Sequence, residues 1–561
     1  MTNLKDLLAV PFVEPKKSTI KRVLATIDSE TDPFKIGRLP KPFIWGFYDG
    51  KNYEEFETVE GMLDFFETQY NEHGIQYRVY AHNGGKFDYH FMLEYLEADS
   101  DVMLINGRLS KFIIGATEFR DSYNLFNFGL AAYKKDDMNY DLMEEEERNK
   151  PENKKKISDY LQKDCVYLYE MVHGFIENYG LHLTQASAAM KIWQKICDTE
   201  APKTNENYYD ALKPFYYGGR VECFKKGIIE EDFSVIDIVS AYPFAMESDH
   251  PIGVNYKILN GAKANKYVKD NGGITDKAMN RCFFTLLAKS RGALPYRDED
   301  GKLLFPKDNL IRRYTVTGWE IAAGLRTGTL TIHQILAVTY WDKYTNFKKY
   351  VSHFFKLKKE GKLTGDKLLE LFAKLFLNSL YGKFAADPRN YKSHRVVESR
   401  DITMMLEAGY EPGGFLGKWF LAKKDMPKDR QRFYNIATAA SITGFVRAYL
   451  WEAACSCEGL LYSDTDSIAA MDISKINLGN NLGDWEKEGD FSYGAIGGKK
   501  MYAFKHNNNK NKWKTASKGA RLDSKEIILV AQGKEVIYDP FAPTYSVRHE
   551  PRFTQRRIVR T

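Results

Sequence analysis

Hydrophobic positions along this chain alternate between two periods, and each period places acids at its ends. In RVLATIDSET (22–31) the run Val23 to Ile27 predicts a strand that finishes in Asp28 and Glu30. Residues two apart on extended backbone face the same way, so this strand presents two carboxylates together. In DFSVIDIVSAYPFAM (232–246) the β-branched residues Val235, Ile236, Ile238 and Val239 predict a strand with Asp237 in its middle. Ser240, Tyr242 and Pro243 then predict a turn. Leu460-Leu461-Tyr462 and Ile468 to Met471 flank YSDTDS, which reads as a hairpin with Asp464 and Asp466 at its tip. The helical period governs 366–384, where Leu368, Leu371, Phe372, Leu375 and Phe376 form an apolar stripe. Lys374, Asn378 and Tyr381 fall on a separate polar face, and Gly382 predicts the end of this helix. The stripe Ile157, Leu161, Cys165, Leu168 and Val172 predicts another helix, with Tyr160 and Asp164 one turn apart on a second face. In VYAHNGGKFDYHFM (79–92) a strand runs into the loop Asn83-Gly84-Gly85, and a helix is expected to open near Phe87-Asp88.

Each fragment alone has an ordinary reading: a polar hairpin tip, a salt-bridged strand acid, a solvated helix face. Their combination changes the picture. Crowded carboxylates repel, so one holds a proton or a cation lies between them. Hard oxygen ligands favour Mg²⁺. A cation, an amide and an aromatic on one helix face suit a triphosphate and its base. Asp28 and Glu30 on one element, with Asp88 and Asp164 on two others, can converge on two metals, the arrangement for in-line attack on a phosphodiester.

DIVSAYP, KLFLNSLYG and YSDTDS occur in this order, and in order and residue type they resemble the A, B and C motifs of family B DNA polymerases. Ala241 is a departure, since Leu or Met is usual there; it is a packing position. The pattern DxE, NxxxFD and YxxxD, carried by Asp28, Glu30, Asn83, Phe87, Asp88, Tyr160 and Asp164, resembles the proofreading 3′–5′ exonuclease of the same polymerases. Tyr216 to Gly219 with Arg220 resembles the YxGG motif that contacts template, and glycines there let backbone approach phosphate. Lys500 and Tyr502 in GGKKMYAF resemble the KxY motif that holds the primer. At 561 residues the chain is short for such a polymerase with a full exonuclease. It is most similar to the protein-primed branch of bacteriophages whose linear genomes are capped by terminal proteins. DSETDPFKIGRLPKPFIWGFYDG and AHNGGKFDYHF look most like tectivirus polymerases, and the resemblance runs from about residue 20 to about 510.

The resemblance implies a mixed α/β fold: an RNase H-like 3′–5′ exonuclease domain and a right-hand polymerase with two terminal-protein-region insertions. The expected division is exonuclease 1–187, first part of the palm 188–249, terminal protein region 1 250–343 and fingers 344–386. Terminal protein region 2 is expected at 387–430, the second part of the palm at 431–515 and the thumb at 516–561. It implies two Mg²⁺ per active site, with Mn²⁺ able to substitute. The polymerisation metals would be held by Asp237, the Ile238 carbonyl and Asp466, with Asp464 beside them. The editing pair would be held by Asp28, Glu30, Asp88 and Asp164, with Tyr160 orienting water. Tyr242 would exclude a 2′-hydroxyl, Lys374 and Asn378 would face the triphosphate, and Tyr381 would pack on the nascent pair. Asn83, Phe87 and Ser122 would hold a single-stranded 3′ end; Tyr216, Gly218, Gly219, Arg220, Lys500 and Tyr502 would contact DNA. Implied partners are primer-template DNA, dNTPs, a terminal protein and a single-stranded-DNA-binding protein. The chain is expected to be a monomer, away from membranes, in the cytoplasm of a bacterial host.

Composition adds little. Net charge is +6 and the sequence pI is about 8.6, mildly basic and below the level that alone signals nucleic-acid binding. Basic residues cluster at Lys154 to Lys156, at Lys356, Lys358 and Lys359, and at Arg548, Arg552, Arg556, Arg557 and Arg560; the last group suits phosphate. Glu144 to Glu147 reads as a solvated acidic loop, and NNNKNK at 507–512 as an exposed one. Six cysteines show no zinc spacing, so free structural thiols are expected. The apolar start is broken by Pro11, so no signal peptide or membrane span is read there. No GxxxxGK[ST] occurs, so no P-loop helicase is fused here. Two rival classes stand beside a family B polymerase or nuclease that acts in repair or is primed from nucleic acid. One is a nuclease with a decayed polymerase half, which the intact polymerase acids speak against and primer extension tests. The other is a non-catalytic DNA-binding or replisome scaffold, for which seven placed acids in metal-binding patterns are too many.

Overall fold

The computed structural model describes residues 20–509 and 511–561. The start broken by Pro11, and Lys510 in the 507–512 loop, lie outside the described residues. The chain divides into two compact units. The first contains the residues up to Glu177, with Ser393–Lys424 and Thr544–Arg552. The second contains Asn178–Lys392, Asp425–Pro543 and Phe553–Thr561.

The first unit is built on a mixed sheet. The strand Lys21–Thr31 runs parallel to Ile75–Ala81, which runs parallel to Thr117–Asp121. Pro42–Tyr48 and Tyr53–Phe56 continue one side antiparallel. Arg108–Ile114, Asp101–Ile105 and the strand Lys392–Val397 continue the other. The hairpin Glu411–Leu416 and Trp419–Asp425 closes that edge. Its core joins Ile27, Phe47, Val79, Phe112 and Phe119 to Val396, Leu416, Trp419 and Leu421. The Trp419 indole N–H donates to the Leu93 carbonyl at 2.8 Å. Residues near position 420 thus complete a sheet begun at position 21. Helix Pro151–Tyr179 buries Ile157, Tyr160, Leu161, Asp164, Cys165 and Leu168. Tyr160 and Asp164 are therefore not on a solvated face.

The second unit centres on an antiparallel sheet. Its order is Trp513–Ser517, Met501–His506, Trp485–Gly498, Phe233–Ile238, Ser467–Asp472, Glu458–Asp464 and Val221–Cys223. Helix Ile436–Ser456 is buried almost all round. Tyr256–Asn260, Leu330–Trp341, Phe283–Ser290 and Ile311–Thr317 make a smaller antiparallel sheet. Helices Lys348–Thr364 and Lys367–Phe384 form a hairpin turned by left-handed Gly365.

Three local expectations need correction. The helix expected at Phe87-Asp88 is two 3₁₀ turns, Gly84–Lys86 and Asp88–Phe91. Phe87 between them has a non-helical backbone, φ −148° and ψ −88°, which interrupts a longer helix, and Gly85 lies so close to the Leu109 carbonyl that a Cβ on it would sit 2.1 Å from that oxygen. Gly382 does not end its helix, which continues to Phe384. Phe384 is fully buried against Trp193 and Phe347, and tertiary packing carries the last turn past the glycine. Glu144, read as part of a solvated loop, accepts from Arg38. All six cysteines are free. Among the described residues no helix is long and apolar enough to cross a membrane.

Candidate active sites

In the first unit, Asp28, Glu30 and Asp164 each offer an oxygen within 4.8 Å of the others. The strand Lys21–Thr31 supplies the first two and helix Pro151–Tyr179 the third. Asp88 follows the 3₁₀ turn, and the Ser29 hydroxyl donates to its Oδ1 at 2.5 Å. Burial comes first among the causes that raise all four carboxyls. Burial and then Asp164 push Glu30 up to about 8. Burial moves Asp88 to about 6. Asp28 goes well above the ordinary carboxylate range, through burial and then repulsion from Asp88. The buried Asp164 Oδ1 has no hydrogen-bond donor among the described residues. Three buried acids and a half-buried one, with mutual repulsion and an orphaned oxygen, fit a divalent cation, because hard oxygen donors then trade repulsion for coordination.

Sequence reading missed two neighbours of these acids, Lys135 and Tyr140. Lys135 Nζ is 3.4 Å from Asp164 Oδ2 and lies over the Tyr160 ring at 5.5 Å. The Tyr140 and Tyr160 hydroxyls are 3.1 Å apart. Lys135 belongs to KKDD, a charged run without periodicity, so nothing local marked it. Asn83 Oδ1 accepts from Arg108 at 2.6 Å, and the Phe87 ring packs edge-on against Phe34, Phe91 and Tyr545. Ser122 is a correction. It is fully buried, bonded to His82 Nδ1 at 2.9 Å and donating to the Ala81 carbonyl, so it supports the loop from inside and does not present its hydroxyl at the surface.

In the second unit, Asp237 leaves strand Phe233–Ile238 opposite Ser467, one residue beyond the Asp464-Thr465-Asp466 tip. The Ile238 N–H donates to the Asp466 carbonyl at 2.9 Å, which pins the two acid-bearing segments together. Burial, then Asp466 and Glu488, push Asp237 up to about 7. Burial, then Asp464, push Asp466 up to about 6. This pair also fits a shared divalent cation on the chemistry of its donors. Asp464 stands apart: both its oxygens bond Lys500 Nζ, at 2.6 and 2.9 Å. Lys500 lies in a turn with φ of 57° and its N–H donates to the Tyr462 hydroxyl at 2.8 Å. Tyr502 packs on the Tyr462 ring at 5.2 Å.

Tyr242 and Tyr381 meet face to face, with centroids 4.1 Å apart and planes at 7°. One comes from the segment after Asp237 and the other from helix Lys367–Phe384. Lys374 and Asn378 on that helix are exposed. Lys358 on the adjoining helix, read only as part of a basic cluster, was missed as a site residue. Its Nζ reaches Ser240 Oγ at 3.4 Å, and burial and then Lys374 hold its ammonium below the usual range. Tyr216 and Gly219 are partly exposed and Gly218 exposed. Arg220 is a correction. It is 1% exposed, paired with Glu222, bonded to the Gly292 carbonyl at 2.7 Å and covered by Phe305 and Trp451. A guanidinium enclosed on both faces cannot reach a phosphate.

Comparison with known proteins agrees with this geometry. Residues 127–414 match the family model "DNA polymerase type B, organellar and viral". The DNA-directed DNA polymerase of Enterobacteria phage PRD1 is 35% identical over 91% of this chain and 88% of its own length. A probable DNA polymerase of Agaricus bitorquis is 24% identical over 76% of this chain and 64% of its own. The fold matches Phi29 DNA polymerase complexed with primer-template DNA, at a TM-score of 0.73 and 16% identity, covering 96% of this chain and all of that one. The mixed α/β fold is thus the one that Phi29 DNA polymerase adopts, as the motifs imply. This chain belongs to the type B DNA polymerases of the organellar and viral kind, and within them to the phage branch represented by the PRD1 enzyme.

Proposed function

We propose that this DNA polymerase starts new strands on a terminal protein, extends them on phage-type linear DNA and edits them with its own 3′–5′ exonuclease. The observation that carries the reading is the presence of two separate carboxylate sites, one in each compact unit, each on the motif residues expected of it. Family B polymerases use divalent metal ions, and Mg²⁺ is the ion proposed here, with Mn²⁺ as substitute. When bound, such ions lower the pKa of the attacking oxygen and stabilise the leaving one.

The chain's own residues do the rest. Asp237, Asp466 and the Ile238 carbonyl form the polymerisation ligand set. Lys500 holds Asp464 beside them and is released to primer phosphate when DNA arrives. Lys374 and Lys358 neutralise triphosphate oxygens, with Asn378 on the same helix face. Tyr242 lies under the sugar, where its ring leaves no room for a 2′-hydroxyl, and Tyr381 packs on the new pair. Tyr216, Gly218, Gly219 and Tyr502 track template and primer. In editing, Asp28, Glu30, Asp88 and Asp164 form the ligand set. Tyr160 orients the attacking water, Lys135 fixes Asp164, and Asn83 and Phe87 hold the frayed end. We assign the first unit's amino-terminal part to the exonuclease, 250–343 and 387–430 to terminal-protein contacts, and 516–561 to a thumb. A clamp from 387–430 would let one strand through and part the duplex ahead, a cost of roughly 1.4 kcal/mol per base-pair step. The enzyme would work as a monomer in the bacterial cytoplasm, with a single-stranded-DNA-binding protein covering the displaced strand.

Incubation with the cognate terminal protein, labelled dNTP and Mg²⁺ tests priming: a protein–nucleotide adduct is expected. Extension of DNA primers without any adduct would replace this reading by priming from nucleic acid.

A further inference from the structure

The YYGG loop and the acid-bearing hairpin tip touch through backbone. The Thr465 N–H donates to the Arg220 carbonyl at 2.6 Å. Thr465 lies between Asp464 and Asp466 with φ of 63°. A Cβ on Gly219 would sit 2.8 Å from Thr465 Cγ2, so the bare glycine is what admits the threonine. Asp464 is also in register with Val221, the residue after Arg220. Any shift of this loop therefore moves the turn that aims both carboxylates.

The same loop is held from below by a side chain outside every motif. Arg447, in the middle of helix Ile436–Ser456, is 1% exposed. Its Nη1 donates to the carbonyls of Tyr217 at 2.6 Å and Gly218 at 2.8 Å. Its Nε donates to Glu320 Oε1 at 2.7 Å. Glu320 is equally buried, and its other oxygen accepts from the Thr317 N–H and hydroxyl, both at 2.9 Å. Both ends of the arginine are thus fixed: one by a buried acid anchored at a helix start, the other by two loop carbonyls. A planar guanidinium meets acid and carbonyls at once in a fixed fork, which an ammonium cannot do.

We infer that Arg447, anchored by Glu320, is a positioning residue for polymerisation, setting the YYGG loop against Thr465 and so fixing both the template path and the Asp464–Asp466 turn. This rests on the assignment of Asp464 and Asp466 to nucleotide addition. Neither Arg447 nor Glu320 can reach DNA or nucleotide, since both are enclosed. Their effect must pass through the loop.

The test uses the full chain with Arg447→Lys and, separately, Glu320→Gln. Binding of primer-template is measured by fluorescence anisotropy in EDTA. Mg²⁺ titrations of primer extension and of single-stranded 3′ digestion are measured alongside. Both variants are expected to weaken primer-template binding about tenfold and to raise the Mg²⁺ needed for half-maximal extension about tenfold, the size of effect outer supporting groups have. The Mg²⁺ dependence of digestion should stay within about twofold, because Arg447 lies in the other unit. A merely structural pair would lower the active fraction of both activities without moving either midpoint. Unchanged binding and unchanged extension midpoint in Glu320→Gln would overturn the inference, as would equal shifts in both activities. If Arg447→Lys fails to fold, Glu320→Gln alone decides. Asp466→Ala is the control for the underlying assignment: extension by that variant would remove the site itself, whatever Arg447 does.

Discussion

Asp464 and Asp466 lie two residues apart in one hairpin tip, yet they meet different partners. Asp464 is neutralised by Lys500, while Asp466 faces Asp237. Replacing Asp466 by Ala should abolish nucleotide addition and leave 3′ digestion intact, as read on labelled primers with and without dNTP. The raised carboxyls also set a pH dependence. Unfolded carboxyls titrate near 4. Glu30, Asp237, Asp88 and Asp466 hold their protons in the folded chain to about 8, 7, 6 and 6. The folded state therefore binds more protons than the unfolded one, and this contribution is full below about pH 4 and lost as pH rises through 6 to 8. In EDTA the melting temperature should fall across that window. Mg²⁺ should reverse the fall, since it favours the ionised form; calorimetry at pH 6 and pH 8 checks both. Tyr242 makes a third case at this scale. Tyr242→Val removes half of the stacked pair with Tyr381, and discrimination against ribonucleotides should drop about tenfold or more in steady-state incorporation, because the sugar selection proposed for this ring is steric. Equal discrimination in variant and wild type would refute the assignment.

Among the elements, the hairpin Glu411–Leu416 and Trp419–Asp425 behaves unlike a loose insertion. It completes the first unit's sheet and contributes Leu416, Trp419 and Leu421 to that core. Removing 392–426 as a block would strip three strands from the sheet and expose apolar surface, so such a deletion reports on folding before it reports on strand displacement. The sharper variant is Trp419→Ala. It deletes a nearly buried indole and its bond to the Leu93 carbonyl, at a cost of about 3–5 kcal/mol. Unfolding followed by denaturant should show that loss. The 3′ digestion proposed for the same unit should become heat-labile, while an unchanged transition would mean that the hairpin does not stabilise the sheet.

Over the whole molecule, the two carboxylate sets belong to different compact units, so their activities should separate. Asp28→Ala with Glu30→Ala should cut single-stranded 3′ digestion by about a hundredfold or more, because shared ligands of the charge-stabilising ions are lost. Primer extension should remain within about twofold, since the two sites lie in different units. Persistent digestion in the double variant would move the nuclease elsewhere in the chain.

The sequence by itself determined the local elements and the identity of the acids. Period two put Asp28 and Glu30 on one strand and Asp464 and Asp466 on one tip; period 3.6 put Lys374, Asn378 and Tyr381 on one helix face. Those relations depend on backbone geometry within a dozen residues, so a single chain reveals them. Tertiary structure alone decided which distant groups complete each site. Lys135 reaches Asp164, Lys358 reaches Ser240, and Arg447 reaches the YYGG carbonyls, none with a local pattern to announce it. It also decided burial. Arg220 and Ser122 stand within motifs that read as DNA contacts, but packing from remote residues encloses them. A charge or hydroxyl is the same letter whether it meets water or a buried partner, and only the folded chain's long-range contacts choose between them.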